Sequence, residues 1–395
     1  MATAQETKPG RIICLSNTFD QDYVNVRGEE ILSYFGIEKR RNLWRCLELA
    51  SGREVIILSS PPKASKRRRA RWLPAQETRF DGQPQFICAN WDIPKLRVPL
   101  SWFFYAIHVL RHARDGDIVL IDNYEIIYVI AAWALRLRHK VRFILDYEDG
   151  KHLIDKGIYF VLSRVAEALG RPLLNAAIVA APALRNRLPR TLPIEIAPGF
   201  YSPELRPGRR RPTDDALLFL YSGSLDRARG VDLLLAAVDL LPPNGWQLHI
   251  TGAGELERLV REVARVSNGR IFFHATLPGE PYERLLHECH VGLNCQRVSD
   301  PISEVTFPSK VFSYLRSGLV VLSSRASGVP SICEDGCFYY NEETPTCLAQ
   351  SMQLLMENFD LIQEQIAQGS SILDRYSLSG TSERLRNLFA EAELI

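Results

Sequence analysis

Leu217-Leu-Phe-Leu-Tyr-Ser-Gly-Ser-Leu-Asp-Arg-Ala-Arg-Gly230 runs from a string of apolar residues into a small, polar turn, and Val231 to Leu241 follows at helical spacing. Apolar character that is continuous rather than alternating marks a strand covered on both faces, the habit of a parallel sheet. Small residues at a strand's carboxyl end let a ligand approach the backbone, and the N-terminus of the next helix favours an anion. Arg227 and Arg229 are positioned to add charge-assisted contacts to a phosphate. An ordinary strand–turn–helix with solvated arginines fits these residues equally well.

Outward from this stretch the alternation repeats. Gln247-Leu-His-Ile-Thr251, Arg270-Ile-Phe-Phe273, Val291-Gly-Leu-Asn294 and Leu319-Val-Val-Leu-Ser323 read as strands, with helical patterns at 255–266, 281–288 and 309–316. The first half offers Arg11 to Ser16, Glu54 to Ser59, Asp117 to Asp122, Val141 to Asp146 and Ala177 to Ala180 as strands, with crossover helices predicted over 100–114 and 159–174. Between the two series, Ser202 to Asp215 is polar, basic and broken by Pro203, Pro207 and Pro212, which marks a linker. The pattern predicts an α/β chain of two doubly wound, Rossmann-like domains facing a central cleft, residues 1–206 and 207–375, with a helical tail. Such a cleft is the default place for a ligand.

The 395 residues, 46% hydrophobic and 24% charged, are too many for one compact core and suit two. Lys+Arg 48 against Asp+Glu 46 leave a formal charge of +2, which excludes bulk nucleic-acid binding and leaves room only for a local basic patch. The longest apolar runs, at 102–107 and 126–135, fall short of the roughly 20 residues that span a bilayer. The polar start up to Arg11 lacks the pattern of a signal peptide. Eight scattered cysteines, several inside strand-like runs, read as reduced, buried thiols, so a cytoplasmic location is expected.

Further loops hold polar groups at strand ends. Thr251-Gly-Ala-Gly-Glu255 is a Gly-x-Gly, but the third glycine of a dinucleotide fingerprint would fall at Glu257, which argues against a nicotinamide dehydrogenase; a plain tight turn also accounts for it. Ser16-Asn-Thr-Phe-Asp20, after the first strand, is not glycine-rich. Asp300-Pro-Ile-Ser-Glu-Val-Thr-Phe-Pro-Ser-Lys310 leads into a helix that Gly318 is placed to end, and its amides and Lys310 would face the same cleft as Arg229. Asp146-Tyr-Glu-Asp-Gly150 and Asp122-Asn-Tyr-Glu125 close two strands with acids. Orienting an acceptor hydroxyl and simply capping a helix or turning the chain are both open for these segments.

The second half resembles the nucleotide-binding domain of the retaining glycosyltransferases of family 4, which have the GT-B fold. The resemblance rests on Gly223-Ser-Leu225 with Arg229-Gly230, on Gly252-Ala-Gly254, and on Pro308-Ser-Lys-Val-Phe-Ser-Tyr-Leu-Arg-Ser-Gly318 before a buried strand. Ala197-Pro-Gly-Phe200 is similar to the turn that closes the family's first domain. The resemblance implies that Arg229 and Lys310 hold the donor diphosphate, a metal-free way to stabilise a leaving nucleotide. It implies that Thr306, Phe307 and Ser309, beside Pro308, cradle the sugar and β-phosphate, and that Gly223, Ser224, Gly252 and Gly254 lie against the donor. Glu304 takes the first place of the family's Glu-x7-Glu pattern, although strict spacing falls on Val305, and Ser313 stands at the second acid. Ser224 replaces the arginine common after the turn's glycine. On the acceptor side Asn123, Tyr124, Asp146, Glu148 and Asp149 are the candidates, and residues 376–395 would form a helix crossing back to the first domain. No cofactor and no metal are expected.

Other signals weigh less. Lys63-Ala-Ser-Lys-Arg-Arg-Arg-Ala-Arg71, followed by Trp72 and Leu73, suits an anionic membrane surface, an acidic acceptor or a solvated loop, and no nucleic-acid reading module accompanies it. His287-Glu-Cys-His290 and Cys333-x3-Cys337 lack the further ligands of a zinc site, and Asp20-Gln-Asp22 and Asp115-Gly-Asp117 are too short to mark a metal. The expected function is transfer of a hexose from a nucleotide-diphosphate sugar to a sugar or lipid-linked hydroxyl in polysaccharide or glycolipid assembly. A non-catalytic nucleotide-sugar-binding protein is the alternative, supported by Ser224, Val305 and Ser313; an epimerase or phosphorylase on the same architecture finds no base constellation in the first domain.

Overall fold

A computed structural model describes residues 10–19, 34–61, 71–93, 96–148, 150, 157–199, 216–277, 279–326 and 328–395. The linker 202–215, Phe200, Asp20, Asp22, Asp149 and Lys63 to Ala70 lie outside the described residues, as does the Arg71 side chain. The chain divides into two units: Met1–Ala180, Leu184–Phe200 and Thr381–Ile395 form one, Ala181–Ala183 and Tyr201–Gly380 the other.

In the first unit the strands are β1 (Ile12–Ser16), β2 (Val55–Ser59), β3 (Arg71–Leu73), β4 (Gln76–Phe80), β5 (Gln83–Ile87), β6 (Asn90–Asp92), β7 (Ile118–Asp122), β8 (Arg142–Tyr147), β9 (Ala176–Val179) and β10 (Ile194–Ile196). Its helices are α1 (Tyr34–Ser51), α2 (Arg97–His112), α3 (Ile126–Arg138), α4 (Ile158–Gly170) and the single turn α5 (Pro182–Arg185). The eight-stranded sheet has the order β10-β9-β8-β7-β1-β2-β5-β4. Every residue of β1, β2 and β7 is buried, which is why these strands read as unbroken apolar runs. Strand order reverses between β1 and β7, both of which pair in parallel with their neighbours.

Residues 71–92, for which the sequence suggested no element, form two antiparallel pairs, β4 with β5 and β3 with β6. Asp81 and Gly82, at φ of 51° and 85°, make the two-residue turn of the β4–β5 hairpin. Positive φ at both central positions is the geometry that Asp-Gly favours in such turns. Pro172 stops α4 short of the predicted 174, and a 3₁₀ turn at Arg171–Leu173 follows.

The second unit holds β11 (Leu217–Ser222), β12 (Trp246–Thr251), β13 (Ile271–Phe273), β14 (Val291–Asn294), β15 (Val320–Ser323) and β16 (Phe338–Tyr339). They form a six-stranded sheet of order β13-β12-β11-β14-β15-β16, parallel throughout. This is the doubly wound order of a Rossmann sheet, with its switch point between β11 and β14. The helices are α6 (Val231–Val238), α7 (Glu257–Val266), α8 (Glu280–Glu288), α9 (Ile302–Val305), α10 (Lys310–Arg316), α11 (Val329–Cys333), α12 (Pro345–Glu357), α13 (Phe359–Arg375) and α14 (Leu378–Glu391). Phe219, Leu248, Ile250, Leu293 and Leu322 from the strands meet Leu234, Val238, Val260, Leu348 and Met352 from the helices in one core.

From Thr381 onward the last helix belongs to the first unit. Leu385, Leu388 and Phe389 are buried, Arg384 Nε donates to Glu195 Oε1 at 2.6 Å, and Arg53 Nη2 donates to the Leu394 carbonyl at 3.0 Å. No helix among the described residues is long and apolar enough to cross a membrane.

Candidate functional site

The switch point of the second sheet gathers the loops singled out in the sequence. After β11 the chain turns through Gly223, at φ 131°, and runs beside the loop that follows β12. Gly223 N–H donates to the Thr251 carbonyl at 3.0 Å, Leu225 N–H to Ala253 at 2.9 Å, and Leu256 N–H to Leu225 at 2.8 Å. The loops are this close because Gly252 and Gly254 have no side chain: a Cβ would lie 1.8 Å from the Gly223 carbonyl oxygen and 2.5 Å from that of Leu225. These two glycines therefore act first on the shape of the 223–225 turn.

The other side of the turn is locked to β14. Gly230, left-handed at φ 70°, opens α6, and a Cβ there would sit 1.9 Å from the Cys295 carbonyl oxygen. Arg297 N–H donates to the Ala228 carbonyl at 2.9 Å, and Asp232 takes an ion pair from Arg297 at 3.0 Å and from the exposed Arg227 at 3.2 Å. Arg227 is thus bound to Asp232 rather than turned toward Arg229. Asp226 Oδ1 accepts the Arg229 N–H at 2.8 Å, and the Arg229 guanidinium donates to Gln296 Oε1. Gln296 is buried and passes the connection on: its Nε2 donates to Ser303 Oγ at 2.9 Å and its carbonyl accepts Ser324 Oγ at 2.5 Å. Nothing in the sequence marked Gln296 beyond its place two residues after a buried strand.

Lys310 supplies the second cation. The residue as a whole is half-buried, but its ammonium nitrogen is sealed from solvent. It lies 3.8 Å from the centre of the Tyr221 ring and about a van der Waals contact from Gly223, where a Cβ would stand 3.5 Å from Nζ. No hydrogen-bond acceptor meets it. Burial, reinforced by the Arg229 charge and opposed by Cys295 and Asp226, lowers the Lys310 pKa to about 7. An unpaired buried ammonium is costly, and an anion placed beside it recovers that cost.

The α9–α10 segment carries the remaining candidates. Glu304 is exposed and Val305 is fully buried, so of the two only Glu304 can present a carboxylate to a ligand. Thr306 turns its N–H and Oγ1 back to the Ile302 carbonyl, at 3.1 and 3.0 Å. Phe307 packs on Phe312 with ring centroids 5.4 Å apart, Pro308 is buried, and Ser309 is the exposed residue that precedes α10. Ser313 is buried on α10, with Oγ 3.5 Å from the Ser309 carbonyl. Ser224 is exposed, and its carbonyl accepts the Tyr221 hydroxyl at 2.8 Å. Gly318 at φ 70° ends α10 in a Schellman turn, with Leu319 N–H donating to Tyr314 and Gly318 N–H to Leu315, both at 3.0 Å. Behind the site Tyr314 crosses β14 over Gly292, and its hydroxyl accepts the Ser222 N–H at 2.8 Å.

The first unit builds a separate polar cluster at its own switch point. Arg40, from α1, donates to Asn17 Oδ1 and Thr18 Oγ1, both at 3.0 Å, and pairs with Asp122 at 2.5 Å. Asn123, left-handed at φ 53°, donates its N–H to the Asp146 carbonyl at 2.8 Å, and its Oδ1 accepts the Glu148 N–H at 2.9 Å. Glu148 pairs with Lys39. Asp146 is buried, with Oδ1 meeting no hydrogen-bond donor; burial, then Glu148 and Asp122, push its carboxyl well above the usual range. Tyr124 instead packs edge-on against Tyr147, 5.3 Å between centroids, and against Gly170. Lys39 and Arg40 were not singled out in the sequence, because α1 mixes charges in a way that reads as a solvated helix.

The minor signals have structural partners. His290 Nδ1 accepts the Leu218 N–H at 3.1 Å, and no group of three or more His, Cys, Asp or Glu side chains among the described residues is arranged to hold a metal ion. All eight cysteines are free thiols and all but Cys347 are buried. Asp115 Oδ1 accepts the Lys140 N–H at 3.0 Å, and Asp117 pairs with Arg11 at 3.0 Å, so both anchor chain rather than face a ligand.

No curated protein matches the chain in sequence. Among solved structures it is similar to Anabaena HepE in complex with UDP, at 14% identity over 96% of this chain and 99% of that one with a TM-score of 0.69. It is similar to HepE in complex with UDP-glucose at 13% identity, with the same coverage and a TM-score of 0.67. Sucrose-phosphate synthase from Thermosynechococcus elongatus matches at 13% identity over 96% and 98% of the two chains, with a TM-score of 0.65. The chain therefore has the GT-B fold of two Rossmann-like domains, and its residues 216–358, which build the Arg229–Lys310 site, match the model of the family described as glycosyl transferases group 1.

Proposed function

We propose that the protein is a retaining glycosyltransferase that moves a hexose from a nucleotide-diphosphate sugar to a hydroxyl acceptor without a metal ion. The observation that carries this reading is the buried, unpaired Lys310 ammonium beside Arg229 at the β11–β14 switch point. Two fixed cations there match the charge of a diphosphate, and they gain most when the sugar–phosphate bond breaks and the diphosphate takes the full negative charge. Arg229, steered by Asp226 and Gln296, and Lys310, set on α10, need no reorganisation to receive it. Glu304, the exposed acid of α9, would bind sugar hydroxyls, and Ser309 and Ser224 border the diphosphate. The family match of residues 216–358 and the UDP and UDP-glucose complexes of HepE support a nucleotide sugar as donor.

In this mechanism the acceptor oxygen attacks the anomeric carbon on the face the diphosphate leaves. The C–O bond to the β-phosphate breaks as the new glycosidic bond forms, and the acceptor proton passes to the departing phosphate oxygen, so no protein base is required. Asn123, Asp146 and Glu148 at the first unit's switch point are the acceptor-side groups. Burial, then the nearby Glu148 and Asp122, raise the Asp146 carboxyl well above its usual range, which does not favour it as the group that removes the acceptor proton. Polysaccharide or glycolipid assembly is the process this reaction serves in the proposal, with peripheral membrane attachment through Lys63–Arg71.

Calorimetric titration with UDP tests the reading. Binding is expected for the wild type and a loss of at least about tenfold in Arg229→Ala and Lys310→Ala; equal affinity in all three removes the diphosphate from this site. Ser313 and Val305, where acids would stand, favour one other reading, a protein that binds the nucleotide sugar without transferring it. Donor binding with no product, whatever acceptor is added, would establish that one.

A further inference from the structure

We infer that the outer face of the α2–α3–α4 layer in the first unit docks onto an anionic lipid bilayer. The helices pack in series, α2 on α3 and α3 on α4, so their outer surfaces form one continuous face. Periodicity marks 159–174 as amphipathic but does not say which side is covered. In the structure Ala166 and Gly170 turn inward, while Ile158, Tyr159 and Phe160 stand 65%, 69% and 44% exposed. Leu137 on α3 is 84% exposed, and the half-open Trp133 ring is fixed at the surface by its indole N–H, which donates to the Leu169 carbonyl at 2.9 Å. Apart from Leu49, Ile395 and Leu96, which immediately precedes α2, every exposed large hydrophobic residue described in the first unit lies on this layer or on the Trp72–Trp91 pair, which joins α2 through a Trp72–Phe104 ring contact of 5.8 Å. An apolar surface gathered on one side of a domain in this way marks an interaction site.

Charge identifies the occupant. The charged side chains described on α2, α3 and α4 are Arg111, Arg136, Arg138, Arg164 and a single acid, Glu167. Glu167 is buried and paired with Arg171 at 2.5 Å, so it adds no negative charge to the face. The long charged helices α1 and α7 mix signs: α1 includes Glu38 and Glu48 among its basic residues, and α7 carries Glu257 and Glu262 beside Arg258, Arg261 and Arg265. Aromatic and aliphatic side chains on helices whose exposed charged residues are arginines suit a surface that sits at an anionic headgroup layer. Residues outside the described chain, including Lys63 to Ala70, take no part in this argument.

The inference goes beyond the transfer reaction and is read by lipid binding, not turnover. Full-length protein is floated with phosphatidylcholine vesicles with and without phosphatidylglycerol, at low and high salt, and sedimentation velocity without lipid gives its oligomeric state. Binding to the anionic vesicles is expected, weakened by salt and reduced at least about tenfold in Leu137→Glu/Phe160→Glu and in Arg136→Glu/Arg138→Glu. Val266→Glu, an exposed site on the second unit, is expected to leave it unchanged. Absence of vesicle binding, equal binding by all variants, or self-association that the same substitutions dissolve would overturn the inference, the last by making this face an interface between copies.

Discussion

Lys310 joins stability and the proposed chemistry in one side chain. Its folded pKa of about 7 lies below its ordinary 10.5, so folding disfavours the ammonium. The folded state binds fewer protons than the unfolded chain between these values, and stability rises with pH across that window. Below about pH 7 both states are protonated and the burial penalty is complete. Lys310→Met is therefore expected to raise the melting temperature at pH 6, with the gain shrinking as pH climbs toward 10.5. A gain that does not change with pH would mean that lost charge is not its source. In the proposed reaction the same shift links donor binding to protons: a diphosphate placed beside Lys310, whose pKa is lowered to about 7, would restore its charge. UDP titrations in two buffers of different ionisation enthalpy should then report proton uptake, absent in Lys310→Met. At this scale the sequence made Arg229 and Lys310 legible, because Arg-Gly and Pro-Ser-Lys sit at fixed places before helices. Gln296, Lys39 and Arg40 were not, since a buried amide or an ion-paired helix arginine looks like any other until its partners are in place.

Among the elements, the strand–turn–helix units of the second sheet carry the site, and glycines set their spacing. Gly230→Ala would place a methyl group against the Cys295 carbonyl in a left-handed conformation. A loss of roughly 2–3 kcal/mol is expected by denaturant titration, together with weaker UDP binding because Arg229 is the preceding residue. Unchanged stability would show that the loop can move away from β14 at little cost. Strands such as β1, β7 and β11 were readable because burial on both faces leaves an unbroken apolar run. The pairs β3–β6 and β4–β5 were not, because they are short and partly exposed; Asp81-Gly82 was the one local clue. A helix over 159–174 was legible as well, although Pro172 ends it earlier, yet its open apolar side was not, since period alone cannot say what lies against a face.

For the whole molecule, repeated β-α alternation on either side of a proline-rich basic linker made two doubly wound domains readable, the family resemblance implied the GT-B fold, and both sheets have the reversal of strand order of a doubly wound sheet. In the proposed reaction the second unit holds the donor, with two side-chain cations in the place of a divalent metal. A chelator in excess is accordingly expected to leave turnover unchanged, and loss of activity restored by magnesium or manganese would displace the two-cation account. The most direct test of the central claim is release of nucleoside diphosphate from a panel of nucleotide sugars, UDP-glucose first, by wild type and Lys310→Ala without added metal. The account predicts release from one donor, falling at least about 100-fold in the variant. Release that Lys310→Ala leaves intact, or a panel in which no donor binds, would contradict it.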